Sequence, residues 1–254
     1  MSVLTVAYHS ITPTWHNDLA VRPERFALQL QKLADRGYKG VTFRDAALGD
    51  QDRNVVAITF DDAFATVAEF AAPILRERGW PATVFPVTEA VTSGEPMSWL
   101  AADGNGAPSE ELLPLNWEQL AELSELGWEI GSHSRTHRLL SRLSDAELHD
   151  EIAGSREDVT AHVGRCASFS YPWGVLSPRA IDKVVESGYE AASGLAGRFS
   201  RHNLFAVPRF AITAVDNDLR FRMKTSTTVH LVRTTPLWDV LLRVRHPEPA
   251  VYSR

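Results

Sequence analysis

Two short segments far apart in the chain hold side chains of the kind that do hydrolytic chemistry. Asp61 and Asp62 close the run Val55-Val56-Ala57-Ile58-Thr59-Phe60, and His133 and His137 end the stretch Trp128-Glu129-Ile130-Gly131-Ser132-His133-Ser134-Arg135-Thr136-His137. Zinc catalysis needs about three nitrogen or oxygen ligands from the protein and one open position for water. One Asp with two His makes such a set, and the second Asp is left over to act as a base. Consecutive residues leaving a strand point in different directions, because the side-chain period is two, so the two carboxylates are expected to have different jobs. The spacing of the two histidines suits one helical turn, with both imidazoles on one face. Each motif alone also has an ordinary reading: Asp-Asp as a helix N-cap with a favourable terminal charge, His-x-x-x-His as a surface coincidence. Their joint placement at strand ends favours a metal site.

The elements that must position these groups follow from periodicity and punctuation. Residues 3–8 read as a short strand ending at His9. Residues 23–36 read as a helix, with Pro23 early, Phe26, Leu30 and Leu33 on one face, and Gly37 as the stop. Strands are expected at 40–43, 54–60, 82–87, 128–131, 167–171 and 189–192. Helices are expected at 64–78, ended by Gly79, at 116–126, from Ser144 to about Val163 behind a Ser144/Glu147 capping box, and at 177–187. Residues 89–114 read mostly as loop. The alternation implies a parallel sheet or barrel with helices outside, and such folds gather catalytic residues at the C-terminal ends of strands. Asp61, Asp62, His133 and His9 all lie just past predicted strands.

Composition narrows the class. A chain of 254 residues with 44% hydrophobic content buries one substantial core, and its net charge of −6 argues against nucleic acid as the main partner. The charge is uneven: from Arg220 onward seven Lys/Arg stand against two Asp/Glu, a +5 tail on a −11 body. Cys166 is the only cysteine, which rules out an intrachain disulfide and a thiolate cluster. The first residues, Met1 to His9, carry no basic n-region and no long apolar h-region, so the expected location is cytoplasmic. Residues 1–219 are read as the catalytic domain and 220–254 as a basic extension. Its stretch 236–245 suits an amphipathic helix that either docks on the barrel or makes peripheral contact with a membrane or a lipid-linked sugar.

Three segments resemble the NodB-homology polysaccharide deacetylases, carbohydrate esterase family 4. Thr59-Phe60-Asp61-Asp62, with Gly79-Trp80-Pro81-Ala82-Thr83-Val84-Phe85 after it, is similar to the first motif of that family. Glu129 to His137 with Leu140 is similar to the second, and Phe169-Ser170-Tyr171-Pro172-Trp173-Gly174 to the third. The resemblance covers roughly residues 3 to 215. It implies a single-domain α/β fold, a distorted (β/α) barrel. It also implies a divalent metal, usually zinc with cobalt or nickel as alternatives, and hydrolysis of N-acetyl groups from amino sugars. By position it makes Asp61 the general base and Asp62, His133 and His137 the metal ligands. Tyr171, Pro172, Trp173 and Gly174 then line the substrate and supply an oxyanion donor.

The chain also departs from that pattern. Ala63 stands where Gly is common, and Ser170 stands where many members place an Arg that contacts the catalytic Asp. No fourth motif and no C-terminal Leu-x-His is evident, Val229-His230-Leu231 being a poor imitation. Ala7-Tyr8-His9 resembles the tyrosine-histidine that opens a circularly permuted branch, which assigns the general-acid role to His9, with His230 as the alternative. Arg209, in Val207-Pro208-Arg209-Phe210, is the candidate replacement for the missing Arg beside Asp61; its bland alternative is a structural ion pair. Trp15, Trp99 and Trp173, in predicted loops, either stack on a sugar or pack against neighbouring loops, and Trp80, Trp117 and Trp128 read as core. His16, His149, His162 and His202 read as surface histidines. The expected function is metal-dependent N-deacetylation of an amino-sugar glycan or glycoconjugate. The competing readings are a deformylase or other amide hydrolase on a lipid-linked or small substrate, and an inactive glycan-binding relative.

Overall fold

Runs rich in β-branched and aromatic residues form the strands, and their alternation of large and small side chains decides how the sheet curls. In the computed structural model, which describes residues 4–49, 54–101, 109–195, 203–226 and 228–229, the strands are β1 (Leu4–Tyr8), β2 (Ser10–Ile11), β3 (Ala20–Val21), β4 (Lys39–Val41), β5 (Val55–Asp62), β6 (Thr83–Pro86), β7 (Glu129–Ile130), β8 (Ser168–Ser170), β9 (Ala191–Gly194), β10 (Val207–Pro208) and β11 (Phe210–Ala211). One sheet runs β11-β1-β5-β6-β7 and another β10-β9-β8, all parallel. A parallel bridge between Ser132 and Phe169 joins β7 to β8. Because β10 and β11 are separated by Arg209 alone, the pairing returns to its start: Val207 registers with Ser193 and Phe210 with Val6. The result is a small, closed parallel barrel. Its distortion is visible at β5, whose first half pairs with β4 and whose second half pairs with β6 along the same edge.

Large residues of the strands face outward. Leu4, Val6, Tyr8, Val56, Ile58, Phe60, Val84, Ile130, Phe169 and Phe210 belong to the main buried cluster, together with helix residues Phe26, Leu30, Leu33, Leu120 and Val184. Burying such a side chain stabilises the fold by roughly 1.5–3 kcal/mol. The alternating positions include Ala57 and Ala191, which pack with Phe85 of β6 and with Phe43 in a second cluster. Alternation therefore leaves the barrel interior to small and polar groups around the ring of Phe85. Glu129 is one of them, half-buried, accepting from Ser168 Oγ (2.5 Å), Thr83 Oγ1 (3.0 Å) and Arg44 N (2.8 Å). Burial pushes its carboxyl up.

Several expectations change in detail. The strand expected at 40–43 stops at Val41, because Thr42 caps a helix Phe43–Leu48 by accepting from Asp45 N at 3.1 Å. The segment 89–114 is not mostly loop among its described residues: it contains helices Thr88–Ser93 and Ser98–Ala101 and a short turn Ser109–Leu112. The helix expected over 64–78 opens with a wide π-turn at Val67–Ala71 before the regular turns Ala72–Arg76. The boundary drawn at 219/220 falls inside a helix, Asp218–Lys224, tied to the 23–35 helix by Lys32–Asp218 at 2.5 Å. His202, His230 and the 236–245 stretch lie outside the described residues. Among those described, no helix is long and apolar enough to cross a membrane.

Candidate active site

At the C-terminal end of β5 both Asp61 and Asp62 are buried, and the chain then turns sharply, with φ of 67° at Asp62 and 61° at Ala63. This left-handed region costs an L residue about 1–2 kcal/mol, so Ala63 occupies a backbone state that Gly would adopt without strain. The six non-glycine residues with positive φ among the described residues are Asn54, Asp62, Ala63, Ser134, His137 and Trp173, and all but Asn54 belong to this site. Strain concentrated in one place is maintained by the structure around it.

Asp62 Oδ1 lies 3.8 Å from His133 Nε2 and 3.6 Å from His137 Nε2. These separations are too long for hydrogen bonds, and Asp62 Oδ1 is buried with no partner. Donor atoms of the three residues all lie within 4.8 Å of one another. Tetrahedral zinc with ligand bonds of about 2.0–2.2 Å sets its ligand atoms roughly 3.4 Å apart, so this trio fits a divalent cation. Burial, reinforced by the charge of Asp61, pushes the Asp62 carboxyl up, and burial pushes both imidazoles down. Neutral imidazole is the form that coordinates, and a cation would hold Asp62 ionised.

Asp61 faces a different partner. Arg209, 0% exposed, donates to both of its carboxylate oxygens, Nη1 to Oδ1 at 2.7 Å and Nη2 to Oδ2 at 2.8 Å. Thr59 Oγ1 and Ser170 Oγ accept further bonds from the guanidinium at 2.8 and 2.7 Å, and Ser170 Oγ donates to Asp61 Oδ1 at 3.3 Å. Burial alone would raise the Asp61 carboxyl; the Arg209 charge and hydrogen bonds reverse this and hold it far below the usual range. Asp61 is therefore an ionised carboxylate at any ordinary pH. Arg209 reaches it from the β10–β11 seam, while Ser170, at the end of β8, is small enough to leave the guanidinium room.

The two histidines converge without a helix. Residues 133–137 form a loop, with positive φ at Ser134 (69°) and His137 (59°), so the one-turn helical geometry read from their spacing is incorrect. The loop is tied down from beneath by Glu151, 3% exposed, whose carboxylate accepts from Arg135 N at 3.0 Å, Thr136 N at 2.9 Å and Thr136 Oγ1. Glu151 projects from a π-turn, Asp150–Gly154, in the helix that the Ser144/Glu147 capping box begins. Such turns recur at functional sites. Glu151→Ala leaves partly buried donors unpaired, at up to about 1–3 kcal/mol each. The variant should unfold at lower urea and bind zinc about tenfold more weakly. Unchanged zinc affinity in a folded Glu151→Ala protein would count against this clamp.

Around the centre, His133 Nδ1 donates to Ser170 O at 2.8 Å, which fixes its tautomer and turns Nε2 toward Asp62. His9 is close enough to feel Asp61, His133 and Arg209; burial lowers it to about 4, against the pull of Asp61, so the ring is neutral at neutral pH. In the 171–174 turn only part of the expected surface is open. Tyr171 is fully buried and donates its hydroxyl to Phe205 O at 3.0 Å, Pro172 is buried, and Trp173 is 44% exposed. Tyr171 N–H is used by Ser193 O and Gly174 N–H by Tyr171 O, and Pro172 has none, leaving Trp173 N–H. Trp15 and Trp128 are buried, and His16, His149 and His162 are exposed. Two contributors had no signal in the sequence: Glu151, which reads as one more helix-surface acid, and the Ser170 hydroxyl, visible there only as a missing Arg.

A closed parallel barrel with an Asp-His-His pocket and an ion-paired second Asp at the C-terminal ends of its strands is the architecture of an α/β-barrel hydrolase. The polysaccharide deacetylase family model matches residues 48–192, and the chain belongs to that family. The match leaves His9 and Arg209 outside its span. YxkH of Bacillus subtilis, a polysaccharide deacetylase by name, is 27% identical over 216 residues, 79% of this chain and 70% of that protein. Among solved structures, the Streptococcus pyogenes deacetylase PplD in complex with acetate superposes with a TM-score of 0.75 at 20% identity, over 89% of this chain and 99% of that one. IcaB from Ammonifex degensii superposes with a TM-score of 0.69 at 20% identity, over 92% and 97%. Family membership makes this chain a hydrolase of a kind consistent with de-N-acetylation of a glycan.

Proposed function

We propose that this protein is a metal-dependent N-deacetylase acting on an N-acetylated amino-sugar glycan or glycoconjugate, of the branch in which the acid histidine precedes the Asp-Asp motif. The observation that carries the reading is the division of labour between neighbours: Asp62 faces two imidazoles with an unpartnered oxygen, and Asp61 is held ionised by Arg209. Asp62, His133 and His137 would hold the cation, most simply zinc, which supplies Lewis acidity toward the amide carbonyl and a lowered pKa for water.

The remaining roles fall to the chain itself. Asp61 takes the proton from the attacking water as general base. Trp173 N–H faces the developing oxyanion. His9 hands a proton to the leaving amine, which is too basic to depart without one. Because His9 is neutral at rest, it gains that proton during turnover, with Asp61 as the source. The exposed face of Trp173 suits the apolar face of a sugar ring. Metal-free protein mixed with N-acetylglucosamine oligosaccharides should release no acetate, and added zinc should restore release. Formate from an N-formyl sugar with no acetate would redirect the reading to a deformylase. Zinc-loaded protein with no turnover on any N-acyl sugar would mark an inactive glycan-binding relative.

A further inference from the structure

The two imidazoles of the Asp-His-His trio are held in different ways. His133 is oriented by a hydrogen bond, Nδ1 to Ser170 O at 2.8 Å. His137 Nδ1 is buried and has no hydrogen-bond partner. Rotation about the bond from Cβ to an imidazole is soft and roughly two-fold, so a ring without such a bond needs another restraint to keep Nε2 on the Asp62 side. Aromatic rings supply it. The Trp99 indole stacks on His137 with centroids 4.8 Å apart and planes 20° apart. Trp173 packs at 4.7 Å and 57°, its Nε1 donating to His137 O at 3.2 Å, and His133 meets the ring edge-on at 4.9 Å.

We propose that Trp99 is the positioning residue of this centre, which sets the plane of His137 and raises the affinity of the trio for a divalent cation by lying flat on that imidazole. The inference rests on the metal reading above. Two effects act in the same direction. Stacking removes the ring rotations that would carry Nε2 away from Asp62. A coordinated imidazole is also electron-poor, and the electron-rich face of an indole attracts it as it attracts a cation. Trp99 stands on the short helix Ser98–Ala101, and its neighbour Met97 N bonds to Leu112 O at 3.0 Å. Metal affinity is therefore linked to the Ser98–Ala101 helix and its tie to Leu112, which are not among the Asp62, His133 and His137 donors.

The test is zinc affinity, measured by chelator competition on the metal-free full chain. The expected order is wild type tightest, Trp99→Phe weaker, and Trp99→Leu weakest by about tenfold or more, the loss typical of a group that orients a ligand. Melting of the metal-free proteins separates this from general damage, since a merely structural Trp99 would lower melting temperature without the graded loss of zinc. Wild-type affinity in folded Trp99→Leu overturns the proposal. If that variant does not fold, Trp99→Phe decides: a several-fold loss supports the role and an unchanged affinity overturns it. Asp62→Ala guards the underlying reading. Zinc binding that ignores Asp62, or none in the wild type, overturns the metal site itself and this proposal with it, whereas binding that needs Asp62 and ignores Trp99 overturns the present inference alone.

Discussion

Arg209→Met is expected to destabilise the protein by about 3–5 kcal/mol, the usual consequence of removing one partner from a buried ion pair. The guanidinium is fully buried and bonds to Asp61, Thr59 and Ser170, so its loss strands an ionised carboxylate where water does not reach it. Urea unfolding measures the effect, and a loss below about 1 kcal/mol would show that the pair is not the keystone of the seam. Asp61→Asn combined with Arg209→Met should recover part of the loss, because the double variant buries neither charge. The pH dependence should also change. In the wild type the Asp61 carboxyl is depressed, so its stabilisation is present above the ordinary carboxylate range and is lost only as pH falls toward the depressed value. Without Arg209 the effect of burial loses its main opponent and raises that carboxyl, so the variant should gain stability as pH falls through the raised value. Between pH 8 and pH 5 the Asp61 contribution should stay flat in the wild type and rise in the variant, which urea unfolding at the two pH values reads.

Asp61→Asn should lower kcat for acetate release by about 10²–10⁴, the range for a lost general base, with little change in KM. Zinc content should be unchanged, because Asp61 faces Arg209 rather than the imidazoles. Asp62→Asn should do the reverse, emptying the site of zinc and losing activity as a consequence. Full metal in the Asp62 variant together with an empty Asp61 variant would exchange the two assignments. This comparison is sharper than activity alone, since adjacent carboxylates are otherwise hard to tell apart.

Much of the fold was legible from local pattern. Large apolar residues at every second position of 55–60, glycine stops at 37 and 79, and the Ser144/Glu147 box each act over a few residues, so the strand-helix alternation follows from them directly. The conjunction of Asp-Asp and His-x-x-x-His at strand ends likewise points to a shared site. Local pattern also misled. Four-residue spacing resembles a helical turn, yet Ser134 and His137 take left-handed backbone states held by the distant Glu151, a restraint that no short window contains.

What the sequence determined by itself was the candidate residues and the scaffold type, because residue identity and side-chain period are properties of short segments. Tertiary structure alone decided what each carboxylate meets. Asp61 and Asp62 are chemically identical neighbours, and they differ only because barrel closure carries Arg209, from the far end of the described chain, to one of them and the His133–His137 loop to the other. The stack of Trp99 on His137 belongs to the same category. Contacts between residues remote in the chain arise only when the sheet closes, and the charge states and ring planes on which the chemistry depends are set by those contacts.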